Sequence, residues 1–131
     1  MNNWIIPCNL KYYNVFGAFD DLKKLDWKQT NPCVKTGDTV YIYVGAPYSA
    51  IIFKCLVTKT DLETVEIDDS KYAIKGEVYE TYPRHMELTL IKKYPPDLFQ
   101  SGILVGHGLK GRVMCPRRME ESVLHYIKSK E

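Results

Sequence analysis

A chain of 131 residues has room for one domain with one core, and little more. Its 45% hydrophobic and 26% charged content is that of a soluble globular protein, and a net charge of +2 excludes the broad basic footprint of a strong non-specific nucleic-acid binder. Four cysteines (Cys8, Cys33, Cys55, Cys115) and three histidines (His85, His107, His125) are scattered without paired spacing, so no metal site or cofactor is expected and free thiols in a cytoplasmic compartment are.

"WIIPC" (4–8) reads as a short apolar first strand stopped by Pro7, which has no N–H for a ladder. "NVFGAFDDLKKLDW" (14–27) places Val15, Phe16, Phe19 and Leu22 at helical spacing, with Leu25 close behind. That pattern predicts an amphipathic helix ending near Trp27. "KTGD" (35–38) is a turn in which Gly37 can take positive φ. "TVYIYVG" (39–45) is a strand with Val40, Ile42 and Val44 on one side and Tyr41 and Tyr43 on the other.

"APYS" (46–49) is a second turn, and the apolar run "AIIFKCLVTKT" (50–60) predicts a central strand paired back as an antiparallel hairpin. A short strand around Thr64–Ile67 and a loop across Asp68–Lys75 follow. "RHMELTLIKKY" (84–94) alternates Met86, Leu88 and Leu90 with polar partners, which predicts another strand. Asp97–Ser101 is expected to form one helical turn, and the glycine-rich 102–113 has no clear pattern. "PRRMEESVLHYIKSK" (116–130) predicts a terminal helix with Pro116 at its first position and a buried stripe of Met119, Val123, Leu124 and Ile127. The sum is a single α+β domain over 1–131, with a mostly antiparallel sheet curled into a small open barrel and flanked by helices.

No catalytic signature is present: no GxSxG, P-loop, GxGxxG after a strand, or HExxH. The "DD" pairs at 20–21 and 68–69 could at most begin a metal site, the second with Glu66, and a Cys nucleophile has no local His partner. No enzymatic activity is expected. The opening "MNNWIIPCNL" lacks the charged start and long apolar run of a signal peptide, and no stretch is long enough to span a membrane.

Binding chemistry is better represented. A pocket for a planar base needs aromatic faces and a few polar groups for the base edge. Trp4, Tyr12, Tyr13, Trp27, Tyr41, Tyr43 and Tyr48 supply faces; Asn9, Lys28, Gln29, Thr30 and Ser49 supply edges. Each aromatic has an ordinary alternative as core or strand surface. Lys110, Arg112, Arg117 and Arg118 form a localised basic group that could contact phosphate or could be a solvated helix start.

The ordered series "WIIP" (4–7), "WKQT" (27–30), "GDTVYIYV" (37–44) and "SAIIFKCLV" (49–57) resembles the EVE domains of the PUA-like superfamily. "WIIPCNLKYYNVFGAF" with "YIYVGAPYSAI" is similar to the EVE-like module at the N-terminus of predicted HNH-type, modification-dependent restriction endonucleases. The resemblance implies a small curved β-barrel flanked by helices. It also implies a reader of a modified base, in DNA, extruded into an aromatic cage and linked to restriction or defence. Trp4, Trp27, Gln29 and Tyr43 fall on matching positions, with Ser49 at the turn leading back across the pocket. Lys28, Thr30 and Tyr48 complete the candidate pocket. The glycine-rich second strand of many EVE domains is replaced here by "AIIFKC". With no nuclease motif, the chain would be the reader and a nuclease effector its partner. The alternatives are an RNA-binding PUA-like module, a protein-interaction module with structural aromatics, and a small metal enzyme using Glu66, Asp68 and Asp69.

Overall fold

The computed structural model describes residues 1–63, 70–72 and 84–131. In chain order these form β1 (Asn3–Cys8), α1 (Val15–Asp21), β2 (Lys24–Lys28), β3 (Thr39–Val44), β4 (Ala50–Leu62), a 3-10 turn (Ser70–Tyr72), β5 (His85–Lys93), α2 (Ser101–Gly106), β6 (Arg117–Arg118) and α3 (Glu121–Lys130). The strands make one six-stranded sheet in the order β2-β5-β4-β3-β1-β6. Every pairing is antiparallel except β1 with β3, where Trp4 lies beside Val40 and Cys8 beside Val44. A parallel pair needs a long crossover, and α1 with β2 supplies it.

β3 shows how the sheet is dressed on both faces. Val40, Ile42 and Val44 join Trp4, Ile6, Ile52, Phe53, Cys55, Leu88 and Leu25 in one cluster, covered by Val15, Ala18 and Phe19 of α1. Tyr41 points the other way, into a cluster with Ile5, Ile51, Tyr94 and Phe99 beneath Leu104 of α2 and Val123 and Ile127 of α3. The alternation expected of 39–45 is therefore present and separates two apolar layers.

The sheet is curved and open. β4 is thirteen residues long, and its pairing with β5 shifts register at Lys54/Cys55, Val57/Lys59 and Lys59/Leu62. Such irregularities bend a strand and increase its twist. The curvature brings the chain just beyond β1 against β2, although three strands separate β1 from β2 in the sheet.

Three expected elements are corrected. The helix read over 14–27 ends at Asp21, with Leu22 already extended (φ −119°, ψ 133°). Residues 24–28 are β2, pairing Leu25 with Leu88 and Trp27 with Met86. The Leu22, Leu25 spacing fits a helical stripe as well as a break followed by a strand, and the β5 edge decides between them. The terminal helix starts at Glu121 rather than Pro116, because Arg117 and Arg118 first pair with Ile5 and Trp4. The expected helical turn at 97–101 is a hydrogen-bonded turn followed by α2 from Ser101. The strand expected at 64–67, and the carboxylates Glu66, Asp68 and Asp69, lie outside the described residues. Among the described residues no helix is long and apolar enough to cross a membrane.

Candidate nucleic-acid interface

The place where the curved sheet brings β1 and β2 together is built from two short stretches. After Cys8 the chain closes a tight turn on Asn9. Its side-chain oxygen accepts from the Lys11 N–H (2.9 Å), and its carbonyl accepts from Tyr12 (3.0 Å) and Tyr13 (3.2 Å). An Asx turn of this kind fixes the direction of the residues that follow. Lys11 and Tyr12 stand exposed, and the Tyr13 ring meets the half-buried Trp27 ring edge-on, centroids 5.6 Å apart at 77°. Edge-to-face packing leaves a partner's ring free to present part of a face. Lys28 follows Trp27. Burial pushes the Cys8 thiol up to about 12, and the nearby Lys28 charge pulls the other way without overcoming it. Cys8 is thus a protonated wall residue at neutral pH, not a nucleophile.

The sequence-predicted site residues are distributed as follows. Trp4 is 2% exposed, and its Nε1 donates to Asp38 Oδ2 at 2.9 Å. The same carboxylate accepts from the N–H groups of Asn2 and Lys35, both at 3.0 Å. Trp4 is therefore held in the core by the turn that Gly37 (φ 97°) makes. Gln29 is buried, with Oε1 accepting the Asp61 N–H at 2.7 Å and Nε2 reaching Asp61 Oδ1 at 3.4 Å. Its amide thereby clasps β4 where Asp61 takes positive φ (58°). Thr30 is exposed just past β2. Tyr43 packs on the opposite face of the sheet, with the α2 and α3 layer. Tyr48 packs on the α1 side against Phe16, centroids 5.0 Å apart. The Ser49 carbonyl accepts from the Ser101 N–H at 2.8 Å, tying the β3–β4 turn to α2. The structure thus sets Trp27 against Tyr13, with Lys28 next in β2 and Thr30 exposed beyond it, and directs Trp4, Gln29 and Ser49 to structural contacts.

The four basic residues also divide. The Arg118 guanidinium lies over the Trp4 ring, 5.6 Å from its centroid, on the α1 side of the sheet. Arg117, its neighbour in β6, turns to Glu120 (3.9 Å), whose carboxylate also accepts from the Lys110 N–H at 2.5 Å. Lys110 and Arg112 are exposed on the loop between α2 and β6. Tyr13 was read from the sequence as an available aromatic face, and Lys11 was not singled out. "NLKYYN" (9–14) carries the turn signal that could have placed them, but the meeting of Tyr13 with Trp27 depends on sheet curvature. Among the described residues no group of three or more His, Cys, Asp and Glu side chains gathers as a metal site.

A six-stranded, mostly antiparallel curved sheet with α1 on one face and α2 and α3 on the other is a small α+β fold. The same fold occurs in ASCH from Zymomonas mobilis, with a TM-score of 0.65 at 12% identity over 98% of this chain and 94% of that one. A protein from Pseudomonas putida superposes with a TM-score of 0.66 at 12% identity, covering 97% of each chain. A hypothetical protein from Leishmania major gives 0.66 at 13% identity, over 99% of this chain and 94% of that one. No protein-family model and no curated protein matches the chain. Of what the resemblance implied, the small curved α+β fold is therefore present, and the EVE and HNH-endonuclease refinement finds no support among these structures.

Proposed function

We propose that this chain is a non-enzymatic RNA-binding module that contacts its ligand at the Tyr13–Trp27 seam. The observation carrying this reading is the contact of the Tyr13 ring with the half-buried Trp27 ring, with Lys11 and Tyr12 exposed just before the one and Lys28 next to the other in β2. Aromatic rings with lysines beside them suit unpaired bases and their phosphates, with stacking worth about 1–3 kcal/mol per base. Fold-level analogy to PUA-like domains favours RNA over modified DNA. So does the state of the expected cage. A flipped base needs spare polar groups for its edge, whereas the Trp4 indole N–H and the Gln29 amide are already engaged by Asp38 and Asp61. A nuclease partner and a link to restriction are no part of this reading.

The test is fluorescence anisotropy with one sequence prepared as single-stranded RNA, hairpin RNA, single-stranded DNA and duplex DNA carrying cytosine or 5-methylcytosine, at fixed moderate salt. RNA is expected to bind more tightly than DNA, and Trp27→Ala, which loses packing against Tyr13 and the core and so lowers the thermal midpoint while staying folded at the assay temperature, to cost about 1–3 kcal/mol of that binding. Preference for the methylated duplex would restore the base-cage reading. Equal weak binding to every probe would make the aromatics structural and turn attention to a protein partner.

A further inference from the structure

We propose that the chain carries an oxyanion site on the face of the sheet away from Trp27, built from Tyr41, Lys54, Lys92 and Tyr94, in which its own Glu131 carboxylate stands in for the phosphate group of a ligand. The site is independent of the RNA-binding reading.

Strand pairing assembles the donors. Tyr41 of β3 lies opposite Lys54 of β4, and Lys54 lies opposite Lys92 of β5. Residues directly opposite share a face of the sheet, so all three stand on the α2 and α3 side, where Tyr41 and Tyr94 belong to one cluster. Lys54 Nζ is 5.8 Å from the Tyr41 ring centroid, and Lys92 Nζ is 5.7 Å from that of Tyr94. Glu131, at the end of α3, reaches into this group. Its Oε2 accepts from Lys54 at 3.2 Å and from the Tyr94 hydroxyl at 3.0 Å, and its Oε1 accepts from Lys54 at 3.4 Å.

The carboxylate fills this place incompletely. Tyr41 is 0% exposed, and its hydroxyl has no hydrogen-bond partner among the described residues. Buried hydroxyls are almost always bonded, because an unpaired one loses its water and gains nothing. Burial pushes this hydroxyl up to about 12 and the Glu131 charge adds to the rise, so at neutral pH it is a neutral donor near the carboxylate. Lys54 and Lys92 are like charges directly opposite one another, which repel, and Glu131 bonds the first of them. A carboxylate at the end of a helix also meets the negative end of the helix dipole. A phosphate brings a second negative charge and further acceptor oxygens. It balances both lysines and gives Tyr41 an acceptor, while keeping the donors that Glu131 already uses. Exchange has a route, since the Lys54 and Glu131 side chains are each 20% exposed and helix ends fray.

The experiment is calorimetric titration of inorganic phosphate, with chloride at matched ionic strength as the control. The proteins are the wild type, Glu131→Ala, and Glu131→Ala combined with Tyr41→Phe or with Lys54→Met. Thermal midpoints confirm that each folds; Tyr41→Phe removes a hydroxyl that no described residue holds. Glu131→Ala is expected to bind phosphate about tenfold more tightly than the wild type, as removal of an occupant present about nine-tenths of the time would give. Adding Tyr41→Phe or Lys54→Met is expected to weaken that binding about tenfold, the loss of one charge-assisted hydrogen bond. A uridine trinucleotide with a 5′-phosphate, set against its 5′-hydroxyl form, separates the sources. A preference for the phosphorylated form that Tyr41→Phe removes assigns the site to a nucleic-acid end, and no preference assigns it to the free ion. Phosphate binding that is no tighter in Glu131→Ala than in the wild type, or that is indifferent to both Tyr41→Phe and Lys54→Met, would overturn the site while leaving RNA binding at the Trp27 seam untouched.

Discussion

Asp38 offers the sharpest stability test, because one carboxylate ties three segments. It accepts from Trp4 Nε1 at 2.9 Å and from the Asn2 and Lys35 N–H groups at 3.0 Å, and it is 2% exposed. In Asp38→Ala the Trp4 indole N–H loses its acceptor in a buried place, a cost of about 1–3 kcal/mol. The Asn2 and Lys35 bonds are charge-assisted but partly open to water, so together they add roughly another 1–2 kcal/mol. The expected loss is about 3–4 kcal/mol, or roughly 10 °C in thermal midpoint for a domain of this size. Urea unfolding should show a lower midpoint with an unchanged slope. A Trp4→Phe partner removes the donor and keeps a ring. The two substitutions should couple by at least about 1 kcal/mol, and effects adding to within about 0.5 kcal/mol would refute the bond's role.

The pH dependence follows from the same contacts. Burial alone would raise the Asp38 carboxyl, but the N–H groups of Asn2, Trp4 and Lys35 together hold it below its ordinary value of 3.8. A carboxyl depressed in the folded state contributes stability that is present above its unfolded pKa and lost as pH falls through the folded one. The wild type should therefore lose stability below about pH 4, and Asp38→Ala should lose less over the same range. A wild-type acid profile that overlays that of the variant would count against the assignment.

Two further outcomes follow from the structure. Gln29→Ala should cost about 1–2 kcal/mol by freeing Asp61, yet leave the affinity of RNA at the seam within about twofold of the wild type. A larger loss of affinity would return Gln29 to base reading. Among the thiols, Cys33 and Cys115 are exposed, whereas Cys8 and Cys55 are buried, with burial raising both and taking Cys8 to about 12. Iodoacetamide followed by mass spectrometry should label Cys33 and Cys115 first, and labelling of Cys8 at the rate of Cys33 would contradict the packing around it.

What the sequence made legible was local. The "GD" turn and the alternation of 39–44 depend on neighbours a few residues away, and both appear as expected. The end of α1 was hidden because Leu22 and Leu25 satisfy a helical stripe and a break into a strand equally well. β6 was hidden because two residues carry no period at all. The site was less legible still. Trp4 reads as an available aromatic until Asp38, thirty-four residues away, arrives to take its N–H. Gln29 reads as a polar edge until Asp61 occupies its amide. Tyr43 and Trp27 read as members of one pocket until the two faces of the sheet are told apart.

That two-sided sheet has a consequence for the fidelity of folding. Where one face of a strand is wet, sliding it by a single residue ruins one core. β3 has no wet face to absorb such an error. A one-residue slip against β1 and β4 would force Tyr41 into the space under α1 and carry Val40 and Ile42 to the aromatic layer under α3, wrecking both layers at once. The irregular step in its pairing with β4, between Ile42 and Tyr43, marks the alignment further, since only one offset places the extra residue opposite a partner that can accept it. The central strands thus proofread their own pairing.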